Sequence, residues 1–208
     1  MASAVIHLAV AKELLPYLEV ANVNEYYLGS IAPDIAKLVG ETKQKSHFLY
    51  KEREDVPNIK MFTNKYKDFK KNSFDLGYYI HLFTDKIWFD KFLRKLVQNS
   101  SVKLLDGTII ECSKEQFVNL IYSDYTNLNI ELIDEYNIDL SLFYEEFQIP
   151  NTKIEEIPKD KLYILINEMG IIIENFRQEK EYILDIFLIE NFISEVKERI
   201  LNELKNYI

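Results

Sequence analysis

The stretch from Phe74 to Leu96, reading FDLGYYIHLFTDKIWFDKFLRKL, constrains this chain more than any other. His81 and Asp85 lie four residues apart, one turn above each other on a helix. Phe74, Gly77, Tyr78, Trp88 and Phe92 continue that face. A helix from about Ser73 to Gln98 therefore sets an imidazole and a carboxylate into an apolar stripe. An ionised carboxylate there is costly unless its charge is compensated. A divalent metal, a buried hydrogen-bond network or an ion pair each meets that need, and this stretch alone does not choose.

The chain has 208 residues, which suits one domain over 1–208. At that length roughly 70% of the unfolded surface can be buried, so no staple is required. A single cysteine, Cys112, excludes a disulfide within the chain and fits a reducing compartment. MASAVIHLAVAKELL has no basic segment before its apolar run and no clear cleavage site, so it reads as a structural helix. No segment approaches 18 uninterrupted apolar residues. A cytoplasmic protein without a transmembrane segment is the expectation. The formal net charge is −9 with no lysine-arginine run, which argues against nucleic acid as a partner. An acidic protein can still act on a phosphate ester if a metal supplies local positive charge.

Five glycines and five prolines favour helices over tight turns, so the expected class is all-α, a multi-helix bundle. The first helix spans about Ala2 to Leu18, and His7 shares a face with Val10, Ala11, Leu14 and Leu18. Gly29 and Pro33-Asp34 suggest a turn or irregular segment over Tyr26 to Ile35. Gly40 to Lys45 reads as a polar loop before Ser46-His47-Phe48, and a helix follows over about Asn58 to Lys70. VKLLDGTIIE, residues 102–111, reads as a small β-hairpin around the two-residue turn Asp106-Gly107. Ser113 to Gln116 has capping-box spacing. On the helix it opens, Phe117, Ile121, Asp124 and Leu128 share a face, so Asp124 is a second acid on an apolar stripe. Asn137 to Lys159 reads as irregular. Helices over about Asp160 to Arg177 and Tyr182 to Tyr207 close the chain. The first of these packs through Leu162, Leu165, Ile166, Met169, Ile173 and Phe176.

The chain has three histidines, His7, His47 and His81. Imidazole nitrogen with carboxylate oxygen suits zinc, and also iron or manganese.

IHLAVAKELL, YLGSIAPDI, SHF and GYYIHLFTD, in that order, resemble the zinc-dependent phospholipase C family over roughly residues 1 to 92. Family relatives include fungal zinc nucleases and the catalytic region of glycosylphosphatidylinositol-specific phospholipase D. The resemblance implies an all-helical fold around up to three zinc ions. It implies that Asp34, His47, His81 and Asp85 ligate one metal, that His7 serves a second bridged by Asp85, and that Asp34 also acts as catalytic base. The chain departs from the family in two respects. It begins Met-Ala where the secreted enzymes ligate zinc through a processed N-terminal tryptophan. It also has no histidine after His81, so a site built from two further histidines and a glutamate is replaced, if at all, by Asp124 or Asp90.

The expected activity is metal-dependent hydrolysis of a phosphodiester or phosphomonoester, on a small molecule or lipid headgroup, with one to two ions, zinc before iron or manganese. The competing expectation is a catalytically inactive metal-binding or structural module of the same fold. A phosphohydrolase built on an adjacent His-Asp doublet ranks last, because that dipeptide does not occur.

Overall fold

The structure, a computed structural model, describes residues 1–51, 55–139, 141, 146–174 and 179–207. The first elements are α1 (Ala4–Leu14), α2 (Val23–Ile31), α3 (Ile35–Leu38) and α4 (Lys43–Ser46). Next come α5 (Ile59–Lys65), α6 (Ser73–Ile87) and α7 (Leu93–Leu96). A short antiparallel sheet, β1 (Val97–Gln98), β2 (Ser101–Lys103) and β3 (Ile109–Glu111), precedes α8 (Lys114–Glu135), α9 (Leu162–Glu174) and α10 (Ile186–Leu204). The fold is all-α apart from that sheet.

Helix α6 is the axis. Every residue from Ser73 to Asp85 is buried, so the helix is enclosed on all sides and not only on the His81 face. Asn72 caps its start by accepting the Asp75 N–H. The helix passes into a π-helical turn at Trp88–Phe92, where the Trp88 and Phe92 rings stack 4.5 Å apart. α1, α2, α5 and α10 pack around it, and α8 reaches the core through α1 and α10.

The segment expected to be a turn or irregular over Tyr26 to Ile35 is helix as far as Ile31 and turns only around Pro33-Asp34. α2 runs through Gly29, and the only interruption is a 3-10 turn, Ala32–Asp34, with Pro33 at its centre. Gly29 serves packing. A Cβ on Gly29 would lie 2.1 Å from the Phe74 carbonyl oxygen, and one on Gly77 would lie 2.1 Å from the Tyr26 carbonyl oxygen. α2 and α6 cross with their backbones in contact, which only glycine permits at both points.

The sheet also differs from expectation in its turns. Asn99 and Ser100 both have positive φ, 50° and 61°, and form the two-residue turn between β1 and β2. Asp106-Gly107 lies in a longer connection, closed by the Leu104 N–H on the Thr108 carbonyl, with Gly107 at φ +88°. Ser113 and Gln116 form the expected capping box. The polar loop after Gly40 contains α4, and the first helix ends earlier than expected, at Leu14, followed by a 3-10 turn. Leu162, Leu165, Ile166 and Met169 are buried as expected, while Phe176, Arg177 and the Ile173 side chain lie outside the described residues.

Candidate metal centre

Five of the six side chains expected to ligate metal meet at one point. His7 arrives on α1, Asp34 on the 3-10 turn after α2, His47 at the end of α4, and His81 and Asp85 on α6. His7, His81 and Asp85 are fully buried, His47 is 2% exposed and Asp34 9%.

The donor atoms converge. His47 Nε2 lies 3.4 Å from Asp34 Oδ1, 3.6 Å from Asp85 Oδ2 and 3.2 Å from His81 Nε2. His81 Nε2 lies 3.9 Å from Asp34 Oδ1 and 3.8 Å from Asp85 Oδ2. Ligands about 2.0–2.1 Å from a tetrahedral ion sit about 3.3–3.4 Å from one another. These five separations are close to the edges of such a tetrahedron. The second oxygen of Asp85, Oδ1, faces His7 Nε2 at 3.5 Å and accepts the Ala2 N–H at 3.2 Å. His7 stacks on His81 with ring centroids 3.8 Å apart. Among the described residues, ligand atoms within 4.8 Å of one another occur in two sets, His7-Asp34-His81 and His47-His81-Asp85.

Three observations fit this donor set to a cation. Asp34 Oδ1, Asp85 Oδ2 and both His7 nitrogens are buried without a hydrogen-bond partner, a costly state for polar atoms unless a ligand satisfies them. His81 Nδ1 donates to the Ser30 carbonyl at 2.9 Å, which fixes its tautomer and leaves Nε2 as a bare lone pair. His47 Nδ1 bonds Ser46 Oγ at 2.9 Å, and the same hydroxyl lies 3.5 Å from the Lys43 carbonyl. If that hydroxyl donates to the carbonyl, His47 Nε2 is also a lone pair. The two Nε2 atoms then face each other and need a positive charge between them.

Local sequence explains how His47 is aimed. Phe48, the next residue, has φ 53°, a strained conformation for a bulky side chain. Its ring is held edge-on to Phe62 at 5.3 Å and Tyr78 at 6.4 Å. Tyr78 also donates to the Ser46 carbonyl at 2.5 Å. This aromatic cluster holds the tight turn after α4 and directs His47 back toward His81. Ser30 carried no signal of its own in the sequence, and Ser46 was visible only as the neighbour of His47.

Burial pushes the Asp34 carboxyl up, but the adjacent His47 ring and the charges of the clustered histidines outweigh it and hold it at about 2. Burial likewise opposes ionisation of Asp85, and His7 reverses that, so the carboxyl stays well below its usual range. Burial and the neighbouring His7 lower His81 to about 3. An unfolded His81 binds a proton below about pH 6.5 while the folded one does not, so the metal-free protein loses stability as pH falls from about 6.5 towards 3. Melting curves of chelator-treated protein across that window test this. A melting temperature that is flat from pH 7 to pH 4 would contradict it.

Asp124 is not at this site. It is fully buried on α8, and its oxygens accept three backbone N–H bonds, from Tyr182 at 2.7 Å and from Ile183 and Leu184 at 2.8 Å each. Burial raises its carboxyl above the ordinary value, and the three donors offset only part of that. The acid on the apolar stripe is therefore an anchor for the segment leading into α10. Asp124→Ala leaves three amides unsatisfied, with an expected cost of about 3–5 kcal/mol. Metal content should be unchanged, and a loss of metal in a folded variant would restore the ligand reading. Asp90, the other substitute considered, pairs with Arg94 at 3.4 Å and is partly exposed.

Residues 6–88 match the family model described as zinc dependent phospholipase C. That segment contains all five clustered residues and ends within the π-helical turn. No curated protein and no solved structure matches the chain.

Proposed function

We propose that this protein is a metal-dependent hydrolase of a phosphate ester. The observation that carries the reading is the convergence of two imidazole nitrogens and two carboxylate oxygens at 3.2–3.9 Å, with both oxygens otherwise unpartnered. Asp34, His47, His81 and Asp85 would hold one ion, zinc before iron or manganese. His7 would serve a second through Asp85 Oδ1. Bound there, zinc supplies Lewis acidity that polarises a phosphoryl oxygen and lowers the pKa of water from about 16 towards roughly 7.

The chain's own part is orientation and proton transfer. Asp34 keeps about a tenth of its side chain open and borders a cavity. Its oxygen turned away from the histidines is the one free to take a proton from the attacking water. The water oxygen bonds to phosphorus, the ester P–O bond breaks, and the departing alcohol takes up the proton. Held at about 2, Asp34 is ionised at neutral pH but a weak base by itself. Lys43, at the start of α4, interacts with the charges of Asp34 and Asp85 and adds positive potential on this side of the site.

The same reading takes residues 1–208 as one domain, because α1 packs against both α6 and the late helices α8 and α10. No described helix is long and apolar enough to cross a membrane. A cytoplasmic setting and a small-molecule or headgroup substrate, with no nucleic-acid partner, belong to the proposal.

Full burial of His7, His81 and Asp85 favours a second reading, a structural metal centre without turnover. Elemental analysis of protein purified without chelator or nickel, followed by a phosphodiester and phosphomonoester screen, separates the two. The hydrolase reading expects at least about one ion per chain and turnover that disappears in Asp34→Asn. Bound metal with no turnover across the panel supports the structural reading.

A further inference from the structure

A cavity of about 490 Å³ opens beside the metal centre, with Asp34 in its wall. It holds the space of roughly sixteen water molecules, within the range of small-molecule sites. The N-terminal residues Met1 to Val5 and faces of three further helices build it. α8 presents Tyr122, Tyr125 and Asn129, and α9 presents Leu165 and Met169. α3 adds Lys37, one turn beyond Asp34, with its Nζ 5.3 Å over the Tyr122 ring.

Among these mainly apolar walls Asn129 stands out. It is 7% exposed, and its Oδ1 is buried with no hydrogen-bond partner. An acceptor in that state is costly to leave unmade and discriminates well once a ligand satisfies it. Lys37 is exposed and places a cation within one helical turn of a metal ligand, where a phosphate oxygen not engaged elsewhere can meet it.

We propose that this cavity receives the alcohol portion of the ester, and that Asn129 and Lys37 set which ester is accepted. The inference rests on the phosphate-ester reading above and narrows it. The preferred substrate is the phosphate ester of a compact, mainly apolar alcohol, on the order of fifteen non-hydrogen atoms, carrying a hydroxyl or N–H that Asn129 accepts. Lys37 binds the phosphate itself.

The test is calorimetric binding of three uncleavable probes to the zinc-loaded full chain: methylphosphonate, phenylphosphonate and 4-hydroxyphenylphosphonate. Phenylphosphonate should bind about tenfold or more tighter than methylphosphonate, through burial of the ring. The hydroxyl should add a further gain of about tenfold, and Asn129→Leu should abolish that gain alone. Lys37→Met should weaken all three probes by roughly three- to tenfold while zinc stoichiometry stays unchanged. Equal affinity for methyl and phenyl probes overturns the cavity's role, and a hydroxyl gain that persists in Asn129→Leu overturns the role of Asn129. Loss of zinc from either variant makes the side chain part of the metal centre and overturns its role in selection. If no probe binds, methylphosphonate included, the phosphate-ester reading itself fails and this inference with it.

Discussion

Asp85→Ala is expected to leave the protein without a bound ion. Asp85 faces both halves of the cluster with separate oxygens, Oδ2 towards His47 and His81 and Oδ1 towards His7. Substitutions that only orient a metal ligand typically weaken binding about 10–100-fold, so loss of a direct ligand that serves both sides should exceed that. Metal content should fall from about one ion or more per chain to under a tenth, and hydrolysis to background. A thermal readout separates loss of metal from loss of fold. An ion present at about 100 to 1,000 times its dissociation constant stabilises the native state by about 3–4 kcal/mol. For a chain of this size that is a shift of roughly 6–16 °C. Chelator should lower the melting temperature of the parent protein by that amount and leave Asp85→Ala unmoved. Full zinc occupancy in the variant, with a chelator-sensitive melting temperature, would rule out the ligand set.

The second large effect is expected far from any ligand chemistry. In Gly77→Ala the new Cβ would lie 2.1 Å from the Tyr26 carbonyl oxygen and 2.8 Å from the Ser30 nitrogen, both backbone atoms that cannot rotate away. α2 must move off α6, and the cost should reach about 3 kcal/mol or more, in line with severe overpacking. Metal binding should fail with it. Ser30, on the displaced helix, accepts the His81 Nδ1 proton, and Asp34 follows four residues later. Gly170→Ala is the control, because a Cβ there meets nothing within 4 Å. On a helix it should stabilise by about 0.5–1 kcal/mol. Denaturant melts of both variants, with zinc analysis, check the contrast. An unchanged midpoint and full zinc in Gly77→Ala would mean that the crossing relaxes at little cost.

Much of this molecule is written in short-range sequence. One-turn relations are fixed by helical geometry, so the His81–Asp85 pair, the Ser113–Gln116 box and the buried faces of α6 and α8 were all legible. Gly29 was misread because a glycine four residues before Pro33 signals a turn locally, whereas its use is decided by a helix that arrives from residue 74 onward. Asp106-Gly107 looked like the tighter turn, yet Asn99-Ser100 supplied the two left-handed residues that a two-residue connection needs. Asp124 was correctly expected to be buried on its helix. Its partners are amides 58–60 residues further along, and no helical spacing points to them.

The sequence by itself determined the inventory and the local geometry of the centre: three histidines, two aspartates, and which of them share a helical turn. Only the tertiary structure decided that they meet. Asp85 lies 83 residues from the Ala2 amide it accepts, and His81 lies 34 residues from His47. Ser30 reaches His81 across 51 residues because α2 and α6 touch backbone to backbone at two glycines. The physical reason is one of range. Hydrogen bonds within a helix repeat every few residues and leave a periodic trace in the chain, whereas the crossing of two helices depends on steric contact between segments that carry no mark of each other.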